Sequence, residues 1–295
     1  MINEINSKSV LNKHKKRDWL FLEDYTLNPY LGCSFNCVFC YVNGSKYGSK
    51  VSQGLSVKSN AAEVLYRQLK NRARKKEYGI IALGTATDPY MYQEKDLKIT
   101  RELLKIIYRF HFPLNLFTKS DLILRDMDLL KKIDESAKLP YDLAAQLGKG
   151  AIITFSFSTM DCEVAQIFEP SAPSPIDRLK TMARLKEEGF LVGACLMPLL
   201  PFISDTSDQL DHMIKTIKSY GGDFVLCGGM TLFGDQCNDS RMKYYDALVK
   251  HFPEVLKKTK IIFDNSDYPP SYYQKKISDL TSEICRKYDI KNRII

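Results

Sequence analysis

Apolar residues recur along this chain in two alternating rhythms. Short runs rich in β-branched and aromatic side chains read as buried strands: DYTLNPYL (24–31), YGIIALG (78–84), PLNLFTK (113–119), AIITFSFS (151–158), FLVGACLM (190–197) and GDFVLCGG (222–229). Between them, apolar positions three and four apart mark amphipathic helices, with Ile99, Leu103, Ile106, Ile107 and Phe110 on one face and Leu210, Met213, Ile214 and Ile217 on another. The helix expected over 175–188 has a clear start signal, with Ser174 as N-cap, Pro175 in the first helical position and Asp177 three residues past the cap. Strands alternating with helices predict parallel strands joined by crossover helices. Six such units by about residue 252 fall short of the eight that close a barrel. The expectation is therefore an α/β fold, a partial (β/α)6 TIM-like barrel over 24–252, with a short N-terminal extension (1–23) and a C-terminal extension (253–295) helical over 272–287. KLPYDLAAQLGKG (138–150) reads as an insertion or long loop. In such folds chemistry gathers where the C-terminal ends of the strands converge.

Composition narrows the setting. With 295 residues, 44% hydrophobic and 26% charged, the chain can bury a sizeable core without disulfides. No run approaches the ~18 apolar residues of a membrane span, and the first residues lack the apolar segment of a secretory signal. A cytoplasmic location and no membrane partner are expected, so clustered cysteines read as metal ligands or redox groups. The formal charge of +8 would favour approach to a polyanion, and the densest basic run is RQLKNRARKK (67–76). Val64, Leu65 and Leu69 recur at helical spacing beside it, so the run reads first as the solvated face of an amphipathic helix.

Chemistry concentrates in NPYLGCSFNCVFCYVNG (28–44), where Cys33, Cys37 and Cys40 crowd into eight positions. Their i, i+4, i+7 spacing would also suit one buried helical face. Pro29 and Gly32 before them, with Asn43 and Gly44 after, mark a loop instead. Structural zinc wants four ligands, commonly in paired C-x2-C arrangements; there is no second pair here, and the histidines are scattered. A disulfide would leave one thiol over. Three thiolates can hold three irons of a 4Fe-4S cubane and leave the fourth iron open to a small molecule. On the strand over 151–158, alternation turns Ile153, Phe155 and Phe157 to the helices and Thr154, Ser156 and Ser158 to the interior, and a polar interior calls for a ligand. Asn115 and Lys119 share a face of the third strand, with the Lys119 ammonium at its end, where it can meet a carboxylate or be merely solvated.

This C-x3-C-x2-C loop after the first strand resembles that of the radical S-adenosylmethionine (SAM) superfamily. Together with GTATDPY (84–90), FTKS (117–120) and TFSFST...FEPSAPSPIDRL (154–179), it is similar to the spore photoproduct lyase-related proteins, often labelled DNA repair photolyase-like, over about residues 24–205. The resemblance implies a 4Fe-4S cluster on Cys33, Cys37 and Cys40, with SAM chelating the fourth iron. Reductive cleavage of SAM then gives a 5'-deoxyadenosyl radical that abstracts hydrogen from a substrate, here unknown. It implies Lys119 and Ser156 on the SAM carboxylate, Thr87 on the amine, Phe39 beside the adenine, Asp88 positioning its loop or the ribose, Ser158 at the same strand end, and a reductant such as flavodoxin or ferredoxin. The chain also departs from the lyases. Thr85 stands where they place a hydrogen-donating cysteine, and Phe39 where they carry a tyrosine, whereas Tyr41 matches the second tyrosine of their relay. Cys195 and Cys227 are substitute donor candidates if they point into the barrel; the alternative is that both are small core residues. Two other readings stand beside this one: lyase-like repair of damaged DNA, and a non-catalytic iron-sulfur or zinc protein that binds nucleic acid or another partner.

Overall fold

A computed structural model describes residues 2–48, 54–264 and 266–295. Its strands are β1 (Asn3–Ile5), β2 (Leu11–Asp18), β3 (Glu23–Leu27), β4 (Tyr30–Leu31), β5 (Ser56–Lys58), β6 (Ile81–Leu83), β7 (Leu114–Thr118), β8 (Ala151–Ser156), β9 (Leu191–Leu196) and β10 (Phe224–Cys227). Its helices are α1 (Ala61–Arg74), α2 (Glu94–Leu97), α3 (Ile99–Arg109), α4 (Met127–Ser136), α5 (Tyr141–Leu147), α6 (Cys162–Phe168), α7 (Pro175–Glu187), α8 (Ser207–Ser219), α9 (Ser240–His251), α10 (Pro253–Phe263) and α11 (Ser271–Lys287). Seven strands form one sheet in the order β10-β9-β8-β7-β6-β3-β2. All neighbours in it are parallel except β2, which runs antiparallel to β3. The six parallel strands are followed by α1, α3, α4, α7, α8 and α9 in turn, which is the anticipated partial barrel.

Alternation along the strands sorts the two faces. Leu27, Leu83, Leu116, Ile153, Phe155, Val192 and Val225 face outward and share one core with helix residues such as Leu65, Leu103, Leu130, Met182 and Ile214. On the inner face Ile80, Ile152, Phe224 and Leu226 pack with Leu22, Leu143, Leu147 and Ile294. The floor of the barrel is thus plugged by segments from both extensions and by α5. That helix occupies the stretch expected to be an insertion or long loop, and its Leu143 and Leu147 supply the apolar face that holds it there.

Two further expectations are corrected. DYTLNPYL is not one strand: pairing with β6 ends at Leu27, and Tyr30–Leu31 joins a separate small sheet with β5 and β1. Pro29 has no N–H to continue the ladder. Nor does Thr154 await a ligand. Its Oγ1 donates to Asn115 Oδ1 (2.9 Å), and Asn115 Nδ2 donates to the Phe21 carbonyl (2.9 Å), so the chain satisfies this layer itself. Only the upper layer, at Ser156 and beyond, remains for chemistry.

The basic run forms the later turns of α1, whose buried face is Ala61, Val64, Leu65 and Leu69. Because α1 leads into the start of β6, the run lies toward the N-terminal edge of the sheet, opposite the cysteine loop.

Candidate functional site

Residues 32–48 form a loop of successive turns at the C-terminal end of β3, as their flanking Gly, Pro and Asn residues suggested. Gly32 (φ 79°) and Asn36 (φ 51°) take the left-handed conformation that the tight path requires. Within it Cys40 N–H donates to Cys37 O and Asn43 N–H to Cys40 O. The loop is fastened to the rest of the fold at several points. Val38 N–H donates to Phe168 O (3.0 Å), Ser171 N–H to Phe35 O (3.3 Å) and Ser240 N–H to Asn43 O (3.3 Å).

All three thiols are free and half-buried. Burial pushes the Cys33 thiol up to about 12, and it raises Cys37 and Cys40 as well. The thiols also repel one another's charge, while the Lys119 ammonium opposes the shift at Cys37 and Cys40. They therefore share one electrostatic neighbourhood. Yet no three His, Cys, Asp or Glu side chains among the described residues are placed to grip a single ion. Zinc–sulfur bonds of ~2.3 Å would draw the sulfurs to about 4 Å of one another. Three thiolates are also a donor set that an iron-sulfur cluster takes.

Around the thiols stand the ends of β6, β7 and β8. Asn28 Oδ1 accepts from Ala86 N–H (3.0 Å) and Thr87 N–H (3.3 Å), fixing the turn after β6. Asp88 clamps that turn to β7: its Oδ1 accepts from Tyr90 N–H (2.8 Å) and Thr118 Oγ1 (2.8 Å), and its Oδ2 from Lys119 N–H (2.7 Å). Its carboxylate is spent on the protein, which makes it a positioner of the loop. Thr87 Oγ1 and Ser158 Oγ, by contrast, are buried with no hydrogen-bond partner among the described residues. Orphaned hydroxyls at such a place are unmet demand for a polar ligand. Burial works to lower the Lys119 pKa, but the charges of Glu169, Cys37 and Asp88 together more than offset it, so the ammonium is held charged. Lys119 Nζ makes no hydrogen bond among the described residues and meets only Glu169 Oε1, at 3.8 Å.

Two residues of this constellation carried no assigned role in the sequence reading. Glu169 and Arg178, nine apart within FEPSAPSPIDRL, are buried and paired, Arg178 Nη2 to Glu169 Oε2 at 2.5 Å. A glutamate and an arginine flanking a run that holds three prolines are the signal that marks them. Phe39 is buried against Phe168, Leu200, Met230 and Leu232, so its ring anchors the loop to a satellite core. Tyr41 is exposed, and its hydroxyl donates to the Thr85 carbonyl (3.0 Å). Cys195 pairs in register with Ser156 and Leu226, on the inner face near Lys119. Cys227 does not join it. It is in register with Leu196, packs with the outer core, and lies beside Thr281 and Cys285 of α11.

The sequence pattern of the Radical SAM superfamily matches residues 27–217. A protein of Mycobacterium tuberculosis is 26% identical over 293 residues, 97% of this chain and 80% of that protein. A Pseudomonas phage M6 protein named radical SAM Nalpha-GlyT isomerase is 24% identical over 207 residues, 70% of this chain and 39% of its own length. Among solved structures, spore photoproduct lyase with bound AdoMet and dinucleoside spore photoproduct superposes with a TM-score of 0.64, at 14% identity, over 97% of this chain and 78% of that one. The likeness in fold runs from the N-terminal strands to α11, and the family pattern spans more than half of the chain, all three clustered cysteines and the ends of β6, β7 and β8: this chain belongs to the radical SAM superfamily of enzymes.

Proposed function

We propose that Cys33, Cys37 and Cys40 hold a 4Fe-4S cluster and that the adjoining strand ends hold S-adenosylmethionine. The observation that carries this reading is the meeting, in one place, of three sheltered thiols, an ammonium without a hydrogen bond and two orphaned buried hydroxyls. Bound there, the pair would supply a 5'-deoxyadenosyl radical able to abstract hydrogen from a substrate. The chain's own residues do the placing. Lys119 presents three N–H donors to the SAM carboxylate, with Ser156 beside it, and Thr87 and Ser158 offer hydroxyls to the amine and ribose. Asp88 keeps Thr87 and Lys119 at a fixed separation by bonding both of their segments. Cys195 is the better hydrogen-donor candidate of the two thiols considered, since it faces the interior in register with Ser156 whereas Cys227 packs with the outer core. Tyr41 stands at the rim as a relay candidate. A small reductant such as flavodoxin or ferredoxin is the expected electron source.

Spore photoproduct lyase is crystallised with a dinucleoside lesion. Thr85, where the lyases place their donor cysteine, argues that this chain completes a different reaction on its own substrate. The reading is tested by anaerobic iron and sulfide reconstitution, reduction, and addition of SAM. The expected result is 5'-deoxyadenosine from the wild type and none from Cys33→Ala, Cys37→Ala or Cys40→Ala. Stoichiometric zinc retained in place of iron, with no 5'-deoxyadenosine, would overturn it.

A further inference from the structure

We propose that Glu169 is a positioning residue: it aims the Lys119 ammonium at its carboxylate ligand, from a segment whose main chain also fastens the cysteine loop. The proposal rests on the cofactor reading above.

Arg178 is wholly buried and has every edge of its guanidinium engaged. Nε donates to Pro173 O (2.9 Å), Nη1 to Ser156 O (2.9 Å) and Nη2 to Glu169 Oε2 (2.5 Å). This fixes one carboxylate oxygen of Glu169 relative to the end of β8. The other oxygen, Oε1, has no hydrogen-bond partner among the described residues and faces Lys119 Nζ at 3.8 Å. At that separation, beyond the ~2.7–3.2 Å of a hydrogen bond, attraction orients the ammonium without consuming any of its donors. A closer contact would block the site, and a neutral neighbour would leave Lys119 free to swing.

The same residue sits between two backbone bonds to the cysteine loop, Val38 N–H to Phe168 O and Ser171 N–H to Phe35 O. Its neighbours on both sides therefore carry the loop. One short segment sets both where the thiols lie and where the ammonium points. That is the relation needed if one small molecule is to touch a metal cluster at one end and Lys119 at the other.

The test measures SAM affinity on anaerobically reconstituted protein with the cluster oxidised, so that no turnover intervenes. Glu169→Gln keeps an acceptor for Arg178 but removes the charge. It is expected to retain the cluster absorbance and to bind SAM tenfold or more weakly, with partial rescue by Glu169→Asp. In a Lys119→Met background, Glu169→Gln should add little further loss, because the two act as one unit. Affinity within twofold of wild type, or tighter as for a residue that competes with the SAM carboxylate, would overturn the proposal; so would losses that simply multiply. Should Glu169→Gln fail to fold, the double change Glu169→Met with Arg178→Met replaces the buried pair by apolar groups of similar volume. Weak SAM binding by that variant supports the proposal and wild-type affinity overturns it. A wild type that takes up no cluster and binds no SAM would instead sink the cofactor reading, and this proposal with it.

Discussion

Glu23 shows how a single side chain links place to pH. It lies buried at the start of β3, with Oε2 unpartnered among the described residues and Oε1 3.4 Å from His14 Nε2. Burial, helped by the charge of Asp18, raises its carboxyl to about 7. The Tyr41 phenol feels it as well. A carboxyl that ordinarily titrates near 4.5 thus holds its proton longer in the folded chain, so folding binds a proton between about 4.5 and 7. Its contribution to stability is full below that window, falls as pH rises through it, and is flat above. The slope is bounded by about 1.4 kcal/mol per pH unit and reduced by whatever solvent reaches the group. Denaturant melts of wild type and Glu23→Gln from pH 4 to 8 should show this fall in the first and not in the second. Nothing in the sequence announced it, because burial of a lone Glu is a tertiary fact. The cysteines were legible for the opposite reason: three thiols in eight positions are a chemical statement before any folding. Glu169 and Arg178 stand between these cases, both present in a quoted segment yet meaningful only once the chain brings them together. Cys195 and Cys227 each sit in an all-apolar strand, where no polar alternation reveals which parity faces inward; the register separates them.

Among elements, α7 is the most plainly written. Ser174 Oγ accepts from Asp177 N–H (3.2 Å) and donates to Asp177 Oδ2 (2.6 Å), and Pro175 fills the first turn, as the start signal anticipated. This helix carries Arg178 at its opening turn, so its start determines where the guanidinium emerges. Ser174→Ala should cost ~0.5–2 kcal/mol, read by urea denaturation, without changing the cluster spectrum of reconstituted protein. The strand β2 was harder to see. Its sequence, LNKHKKRD, has neither apolar alternation nor β-branched residues. It is held by main-chain pairing to β3 and by Gln68, whose Oε1 accepts from Val10 N–H and Leu11 N–H and whose Nε2 donates to Leu11 O. Its lysines suit it to the edge of the sheet, where charge discourages pairing with another chain. The short α5 was hidden for a related reason: its two inward leucines are too few to establish a period.

At the level of the whole molecule, the order of strands and helices was readable because each unit repeats the same burial demand, apolar toward the helices on one face of every strand. What the order did not disclose was how the two extensions close the barrel floor, since Leu22 and Ile294 become neighbours only in three dimensions. The overall charge also acquires a direction. The basic turns of α1 lie at the opposite edge of the sheet from the thiols, so they do not line the candidate site. Replacing Lys70, Arg74 and Lys75 by Gln should weaken retention on heparin and leave SAM affinity unchanged within twofold. A loss of SAM binding would show that the two ends communicate. No helix among the described residues is long and apolar enough to cross a membrane.

The fastening of the cysteine loop has a consequence for how the protein is made and mended. Its anchors at Phe35, Val38 and Asn43 are hydrogen bonds of the polypeptide itself, to segments that belong to α6, α9 and the turn after α6. Folding therefore carries the cysteine loop to its place by main-chain bonds alone, and on the reading proposed above a cluster would be loaded after that, onto a loop already fastened. A cluster lost to oxygen would then be replaced by reloading, with no need for the chain to unfold and begin again.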